Sequence, residues 1–360
     1  MLVIFDNLIY SLQKAGGIST YWMELSKRFL HFSDFNVKFV EHKSSNNISH
    51  LRIRDDYKSI ISVGKLGSFF IRFFKDNYIY SSSKFIYHSS YYTFSGNKNA
   101  LNILTVHDFV HERFYSGVRR LMHSRIKNRA IRHSSQIIVV SQSTKKDLLQ
   151  FFPSIDPQKV AVVYNGVSDD FYLINNINEH EDFYLFVGSR EKYKNFDFVV
   201  ECLMHEDSNR KLYIVGNQLR NSEKEFLNES LGNNRWLHFC NISNAELNSL
   251  YNSAFALFYP SSYEGFGIPL LEAMKAGCPF IALNISSIPE VAGKAGHLLK
   301  CLHVEDFLIA KKQIEDNRSL IVNKGFAQVS KFSWDKCYKE TMSIYDKLIK
   351  NEGLNYNSHL

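Results

Sequence analysis

Ala256-Leu-Phe-Tyr259-Pro260-Ser-Ser-Tyr-Glu264-Gly265-Phe266-Gly267-Ile268-Pro269-Leu-Leu-Glu272-Ala-Met-Lys-Ala276-Gly277 holds a complete strand–turn–helix unit. The apolar run 256–259 reads as a buried strand. Gly265 and Gly267 let the backbone of the turn approach a ligand closely. Pro269 suits the first helical turn, where its missing N–H costs nothing, and Gly277 stops the helix in the left-handed conformation. The amides of 265–268, reinforced by the helix dipole, form an anion site suited to a diphosphate. Glu264 and Glu272 stand eight positions apart, about 12 Å along a helix. That spacing would let one carboxylate reach a sugar and the other a ribose. The plainer alternative is a capped helix with two surface glutamates.

Working outward, the same rhythm repeats along the chain. Strands are predicted at 2–5, 36–40, 85–88, 101–106 and 136–140, then at 183–187, 211–215, 236–239, 256–259 and 279–283. Helical patterns fall between them. Alternation of this kind implies parallel sheets covered by helices on both faces. The rhythm resets near Val163-Tyr-Asn165-Gly166-Val167, where Asn-Gly signals a turn. The chain therefore reads as two doubly wound, Rossmann-like α/β domains facing across a cleft, 1–165 and 166–334, with a terminal helix in 335–360. Ligands of open parallel sheets bind beyond the carboxyl ends of the strands. Those ends carry Gly16-Gly17-Ile18-Ser19, His88 with Tyr91, His107-Asp108, Gly188-Ser189-Arg190 and Gly216.

Composition bounds the rest. The 360 residues are 45% apolar and 22% charged, ordinary globular usage that excludes disordered and fibrous classes. Five scattered cysteines, none in Cys-x-x-Cys, fit a reducing cytosol rather than a disulfide framework or zinc ribbon. No run approaches a membrane span, and the first residues read as a strand rather than a signal peptide. Charge is uneven: 1–165 hold 23 Lys and Arg against 11 Asp and Glu, whereas 166–360 hold 20 against 25. The basic half is expected to meet an anionic partner. Two segments concentrate the effect: Lys65 to Lys75, with Phe69, Phe70, Arg72, Phe73 and Phe74, and the helix carrying Arg119, Arg120, Arg125, Lys127, Arg129 and Arg132. A solvated helix face is the plain alternative for the second.

The stretch 260–277 resembles the Glu-x7-Glu motif of glycosyltransferase family 4, the large retaining group with the GT-B fold. The likeness extends over nearly the whole chain, in family order: Gly16-Gly17-Ile18-Ser19, Tyr87-His88-Ser-Ser-Tyr91-Tyr92, Thr105-Val-His107-Asp108, Val140-Ser141 to Asp147, Asn165-Gly166-Val167, and Phe186-Val-Gly188-Ser-Arg190 to Phe196. The 332–334 segment and the helix after it are similar to the family's C-terminal crossing back onto the first domain.

The resemblance implies a hexosyltransferase that retains anomeric configuration, with no covalent nucleophile, the leaving phosphate helping to take the acceptor proton. Arg190 and Lys194 would clamp the donor diphosphate, although Tyr193 stands where many relatives have arginine. His107 would bond the donor sugar, Glu264 its hydroxyls and Glu272 the ribose. Gly16, Gly17, Gly188, Gly216, Gly265, Phe266 and Gly267 would line the donor site, and His88, Tyr91 and Asp108 the acceptor side. With no Asp-x-Asp, neither metal nor cofactor is expected. The expected donor is a nucleotide-diphosphate sugar, with GDP-mannose a frequent choice. The expected acceptor is a lipid-linked saccharide or oligosaccharide of O-antigen, capsule or related polysaccharide. The protein would work in the cytoplasm, touching the anionic inner face of the cytoplasmic membrane, without nucleic acid. A nucleotide-sugar 2-epimerase of the same fold and a basic nucleic-acid-binding protein stand as alternatives.

Overall fold

Buried β-branched and aromatic runs set the architecture of the computed structural model, which describes residues 1–42, 46–62, 79, 81–174 and 182–354. The predicted Phe69–Phe74 cluster lies outside the described residues. The chain divides into two units: Met1–Gly166 with Trp334–Leu360, and Val167–Ser333.

The first unit holds a seven-stranded parallel sheet, in the order β3-β2-β1-β4-β5-β6-β7. Its strands are β1 (Leu2–Asp6), β2 (Asn36–Glu41), β3 (Ile60–Ser62), β4 (Phe85–Ser89), β5 (Ala100–Val106), β6 (Gln136–Val139) and β7 (Val160–Val162). β1 lies between β2 and β4, with Val3 opposite both Val37 and Ile86. Nearly every residue of β1, β4 and β5 is buried, as expected of central parallel strands covered on both faces. Helices α1 (Ile9–Leu12), α2 (Gly17–Phe32), α3 (Ile48–Ile53), α4 (Val110–Phe114), α5 (Gly117–His133) and α6 (Gln142–Phe151) connect them.

The second unit holds a six-stranded parallel sheet, β10-β9-β8-β11-β12-β13. Its strands are β8 (Phe183–Val187), β9 (Lys211–Val215), β10 (Trp236–Phe239), β11 (Ala256–Tyr259), β12 (Phe280–Leu283) and β13 (His297–Leu299). The helices are α7 (Phe196–Met204), α8 (Asn221–Leu231), α9 (Asn244–Ser253), α10 (Ile268–Lys275), α11 (Ile288–Ala292) and α12 (Val304–Val329). α12 is kinked at Asn317, whose φ is −133°.

β3, β7 and β13 were not predicted. Each is three residues long and sits at the edge of its sheet, too short to show a periodic pattern.

The last helix, α13 (Trp334–Asn351), belongs to the first unit. Its buried face, Trp334, Tyr338, Met342, Tyr345 and Ile349, repeats at helical spacing and joins the core around Phe5, Trp22 and Phe29. Phe29 meets Tyr338 edge-on at 5.1 Å and Tyr345 at 5.0 Å. Among the described residues no helix is long and apolar enough to cross a membrane.

Candidate active site

In the second unit, the turn after β11 and the loop after β8 are stitched together. Asn195, in the left-handed region at φ 51°, donates its amide to the Pro260 carbonyl and to Ser262 Oγ, both at 2.7 Å. The Ser262 N–H returns a bond to the Tyr193 carbonyl at 2.7 Å. This stitching brings Lys194 Nζ to 2.5 Å from Glu264 Oε1, with both side chains largely buried. Tyr193 and Tyr259 flank the ammonium, their ring centroids 5.4 and 5.2 Å away. Ser287 Oγ donates to the carbonyls of Glu264 and Phe266 at 2.9 Å, and Ser286 Oγ to that of Glu264 at 2.6 Å. Asn195, Ser286 and Ser287 thus fix the turn. Sequence reading gave them no role, because their partners are distant in the chain.

The turn ends at Gly267, at φ 107°, which caps α10 with Pro269 in the first turn. Gly265 lies in the same turn. The Phe266 side chain is buried in an edge-to-face contact with Phe332 at 5.9 Å, so its part in the turn is played by its backbone.

Glu272 lies on α10, where its carboxylate accepts the Tyr251 hydroxyl at 2.9 Å. Burial raises its carboxyl to about 7, with the Tyr251 bond pulling the other way. Gly188 and Gly216 follow β8 and β9. A β-carbon on Gly216 would stand 2.3 Å from the Gly188 carbonyl oxygen, a backbone atom that cannot step aside, so glycine is required there.

Arg190 is engaged by protein. Its Nε donates to Glu223 Oε1 at 2.9 Å and its Nη2 to the Asn217 carbonyl at 2.9 Å, while Nη1 is buried without a hydrogen-bond partner among the described residues. Lys194 is the cation set beside the motif glutamate.

In the first unit, His107 follows β5. It is buried, 5.0 Å edge-on to Tyr21, and its Nε2 has no partner among the described residues. Burial holds the imidazole down at about 4, Asp108 partly countering it. His107 is thus neutral near pH 7 and able to donate or accept a hydrogen bond. Asp108 Oδ1 accepts the Val110 N–H at 3.1 Å, a local turn bond at the start of α4. Gly17 opens α2, and the Gln13 amide oxygen fills the place a β-carbon on Gly16 would need, 2.4 Å away. Tyr91 hydrogen-bonds His123 Nε2 at 3.1 Å and lines a cavity.

His88 needs correction as an acceptor residue. It is fully buried, with Nδ1 at 2.6 Å from the Tyr345 hydroxyl and Nε2 at 2.9 Å from Thr105 Oγ1. Both ring nitrogens are used inside the core, so none remains for a ligand. Lys127 needs correction as a surface cation. It too is fully buried, donating to Glu112 Oε2 at 2.7 Å and the Asp108 carbonyl at 3.0 Å, with the Phe109 ring 4.3 Å away.

Two family models meet end to end on this architecture. Residues 15–171 match Glycosyltransferase Family 4 and residues 170–321 match Glycosyl transferases group 1. The chain belongs to glycosyltransferase family 4. Among curated relatives, O-antigen chain mannosyltransferase B of Escherichia coli is 29% identical over 173 residues, 46% of this chain and 45% of that protein. O-antigen chain mannosyltransferase RfbU of Salmonella typhimurium is 28% identical over 193 residues, 52% of this chain and 53% of its own length. The chain spans about half the length of these curated relatives. The crystal structure of Anabaena HepE in complex with UDP-glucose superposes with a TM-score of 0.74 at 15% identity, covering 96% of this chain and 100% of that one. This family 4 member therefore has the GT-B fold: two parallel-sheet α/β units, each with glycine- and carboxylate-bearing strand ends.

Proposed function

We propose that this chain transfers a hexose, mannose being the first candidate, from a nucleotide-diphosphate donor to a hydroxyl of a lipid-linked or oligosaccharide acceptor in surface-polysaccharide synthesis. The observation that carries the reading is the Lys194–Glu264 pair, held at the mouth of the α10 N-terminus by the Asn195 stitch. Lys194 moves its charge from Glu264 to the donor diphosphate, joined there by the amides of 265–268 and by Arg190. Glu264, released, accepts hydrogen bonds from the sugar hydroxyls, and Glu272 accepts those of the ribose. His107 offers its unpartnered Nε2 to the sugar. The names of the O-antigen relatives support mannose and a polysaccharide acceptor.

Transfer proceeds with retention. The bond from the anomeric carbon to the diphosphate oxygen breaks with its electron pair leaving on phosphate. The acceptor oxygen bonds that carbon from the same face, and its proton passes to the departing phosphate oxygen. Lys194 and the helix amides stabilise the charge that develops on the leaving group, so no metal is required and turnover should survive chelation by EDTA.

The test is Lys194→Ala assayed with GDP-mannose and other nucleotide sugars. Turnover should fall ~10²-fold or more, the scale of losing a preorganised charge-stabilising donor, while circular dichroism stays native. A folded variant with wild-type turnover would remove Lys194 from the site.

A further inference from the structure

The two cations after β8 are each held by a carboxylate, but on different terms. Glu223, the partner of Arg190, also accepts the Arg220 N–H at 2.7 Å, so it keeps a donor when the guanidinium turns away. Glu264 has no reserve of positive charge: among the described residues Lys194 is the one cation within ion-pair distance of it.

The carboxylate cannot follow the ammonium either. Ser286 and Ser287 bond the Glu264 carbonyl, and Ser287 also bonds that of Phe266, which pins the backbone of the turn. Asn195 pins the opposing loop. Motion is left to the Lys194 side chain, a flexible four-carbon stem. The Tyr193 and Tyr259 rings beside the ammonium attract a cation whatever its counter-ion, which eases a change of anion.

Both side chains are largely enclosed, at 12% and 13% exposure, where an ion pair is screened less than at the surface. The cost of opening the pair therefore depends on what arrives. A sugar nucleotide brings both replacements at once, diphosphate oxygens for Lys194 and hydroxyl donors for Glu264. A nucleoside diphosphate brings only the first, and leaves the carboxylate in its enclosure facing water without a counter-ion. A free hexose brings only the second, and its neutral hydroxyls do not match the charge they displace.

We propose that the Lys194–Glu264 pair is a self-contact that couples diphosphate recognition to sugar recognition, so that the site discriminates an intact donor from its spent nucleotide. This coupling rests on the glycosyltransferase reading above and adds a source of specificity to it: the resting pair competes against every ligand that satisfies only one of its members.

Calorimetry on the full chain measures the affinities for GDP, GDP-mannose, UDP and UDP-glucose in wild type, Glu264→Gln, Lys194→Gln and the double variant, with circular dichroism as the check on folding. Glutamine at 194 keeps an amide that can bond Glu264. With the nucleotide that wild type prefers, Glu264→Gln should tighten the nucleoside diphosphate ~5–10-fold, the scale of freeing one close charge pair. It should weaken the sugar nucleotide by about the same factor, having lost the charged acceptor of the hydroxyls. In the Lys194→Gln background, the same change at 264 should move nucleoside-diphosphate affinity less than ~2-fold, because no ammonium is left to be freed. Equal tightening in both backgrounds would show plain repulsion between carboxylate and diphosphate and overturn the coupling. So would unaltered nucleoside-diphosphate affinity in folded Glu264→Gln. A further titration needs no variant and decides the matter if Lys194→Gln does not fold. Excess methyl α-glycoside of the hexose in the preferred sugar nucleotide should tighten nucleoside-diphosphate binding to wild type, since coupling is reciprocal; unchanged affinity would overturn the proposal. A chain that binds no nucleotide sugar would instead defeat the glycosyltransferase reading, and the coupling with it.

Discussion

At the scale of single residues, the site turns on charges whose partners decide their state. Burial lifts Glu272 from the ordinary carboxylate range to about 7, and the hydrogen bonds proposed from ribose hydroxyls would favour its ionised form. Because the folded pKa is raised, ionisation opposes folding: this residue's contribution to stability is full below ~4.5 and is lost as pH rises toward 7. Ligand binding has the opposite sign. Nucleotide affinity should rise between about pH 6 and 8, by up to ~10-fold per pH unit below the pKa, and Glu272→Gln should flatten the profile. Calorimetry across that range checks this, and a flat wild-type curve would detach Glu272 from the ribose. Lys127 presents a different balance. Burial alone would raise the Glu112 carboxyl, but nearby His123 and the Lys127 charge bring it down to about 2. Lys127→Met strands that carboxylate and should cost about 3–5 kcal/mol, whereas Lys127→Met with Glu112→Leu should recover much of the loss. Urea midpoints of the single and double variants distinguish the two outcomes.

At the scale of elements, α13 is the clearest case of a helix whose role lies in what it touches. Its amphipathic pattern is visible in sequence, but the hydroxyl of Tyr345 also closes a buried chain through His88 to Thr105, which in turn lies 3.2 Å from the Tyr21 hydroxyl. Tyr345→Phe keeps the ring packing and leaves His88 Nδ1 unpaired, at a cost of about 1–3 kcal/mol. Differential scanning calorimetry should show a lower Tm with donor affinity unchanged. An unaltered Tm would mean that the core finds another partner for His88. The loop after β8 obeys similar logic: Lys194 stands beside Glu264 because Asn195 accepts a left-handed backbone and spends its amide across the gap to Pro260 and Ser262.

At the scale of the whole molecule, positive charge gathers in the first half of the sequence. With Lys127 internal, the α5 cations open to an anionic surface include Arg120, Arg125 and Arg132, which are exposed. Phe114, Val118 and Leu121, at 45%, 72% and 51% exposure, add apolar surface nearby, a combination suited to a lipid interface. Each cation near an anionic membrane contributes roughly 1 kcal/mol, so replacing the three arginines with serine should weaken binding to phosphatidylglycerol vesicles by up to ~10²-fold. Added salt should act in the same direction, and neutral vesicles should not bind. Cosedimentation measures this directly, and undiminished binding by the triple variant would exclude α5 as the contact.

Sequence alone determined the parallel α/β class, ten of the strands and the strand–turn–helix unit around Glu264, because apolar runs and glycine or proline punctuation are local signals. Gly267 and Gly277 at positive φ follow from the same local chemistry. Tertiary structure decided which polar side chains remain available. His88 and His107 both sit at strand ends and look alike in sequence; packing gave the first two partners and left the second with a buried nitrogen that has no partner among the described residues. Arg190 and Lys194 lie in one loop, yet Glu223, 33 positions away from Arg190, engages the first, while Glu264, 70 away from Lys194, receives the second. The aliphatic cavity beside Tyr91 left no mark in sequence, since its walls come from short segments of α1, α2 and α5 that meet only when the sheet brings its strand ends together. Hydrogen-bond satisfaction and enclosure depend on neighbours far apart in the chain, and no local pattern encodes them.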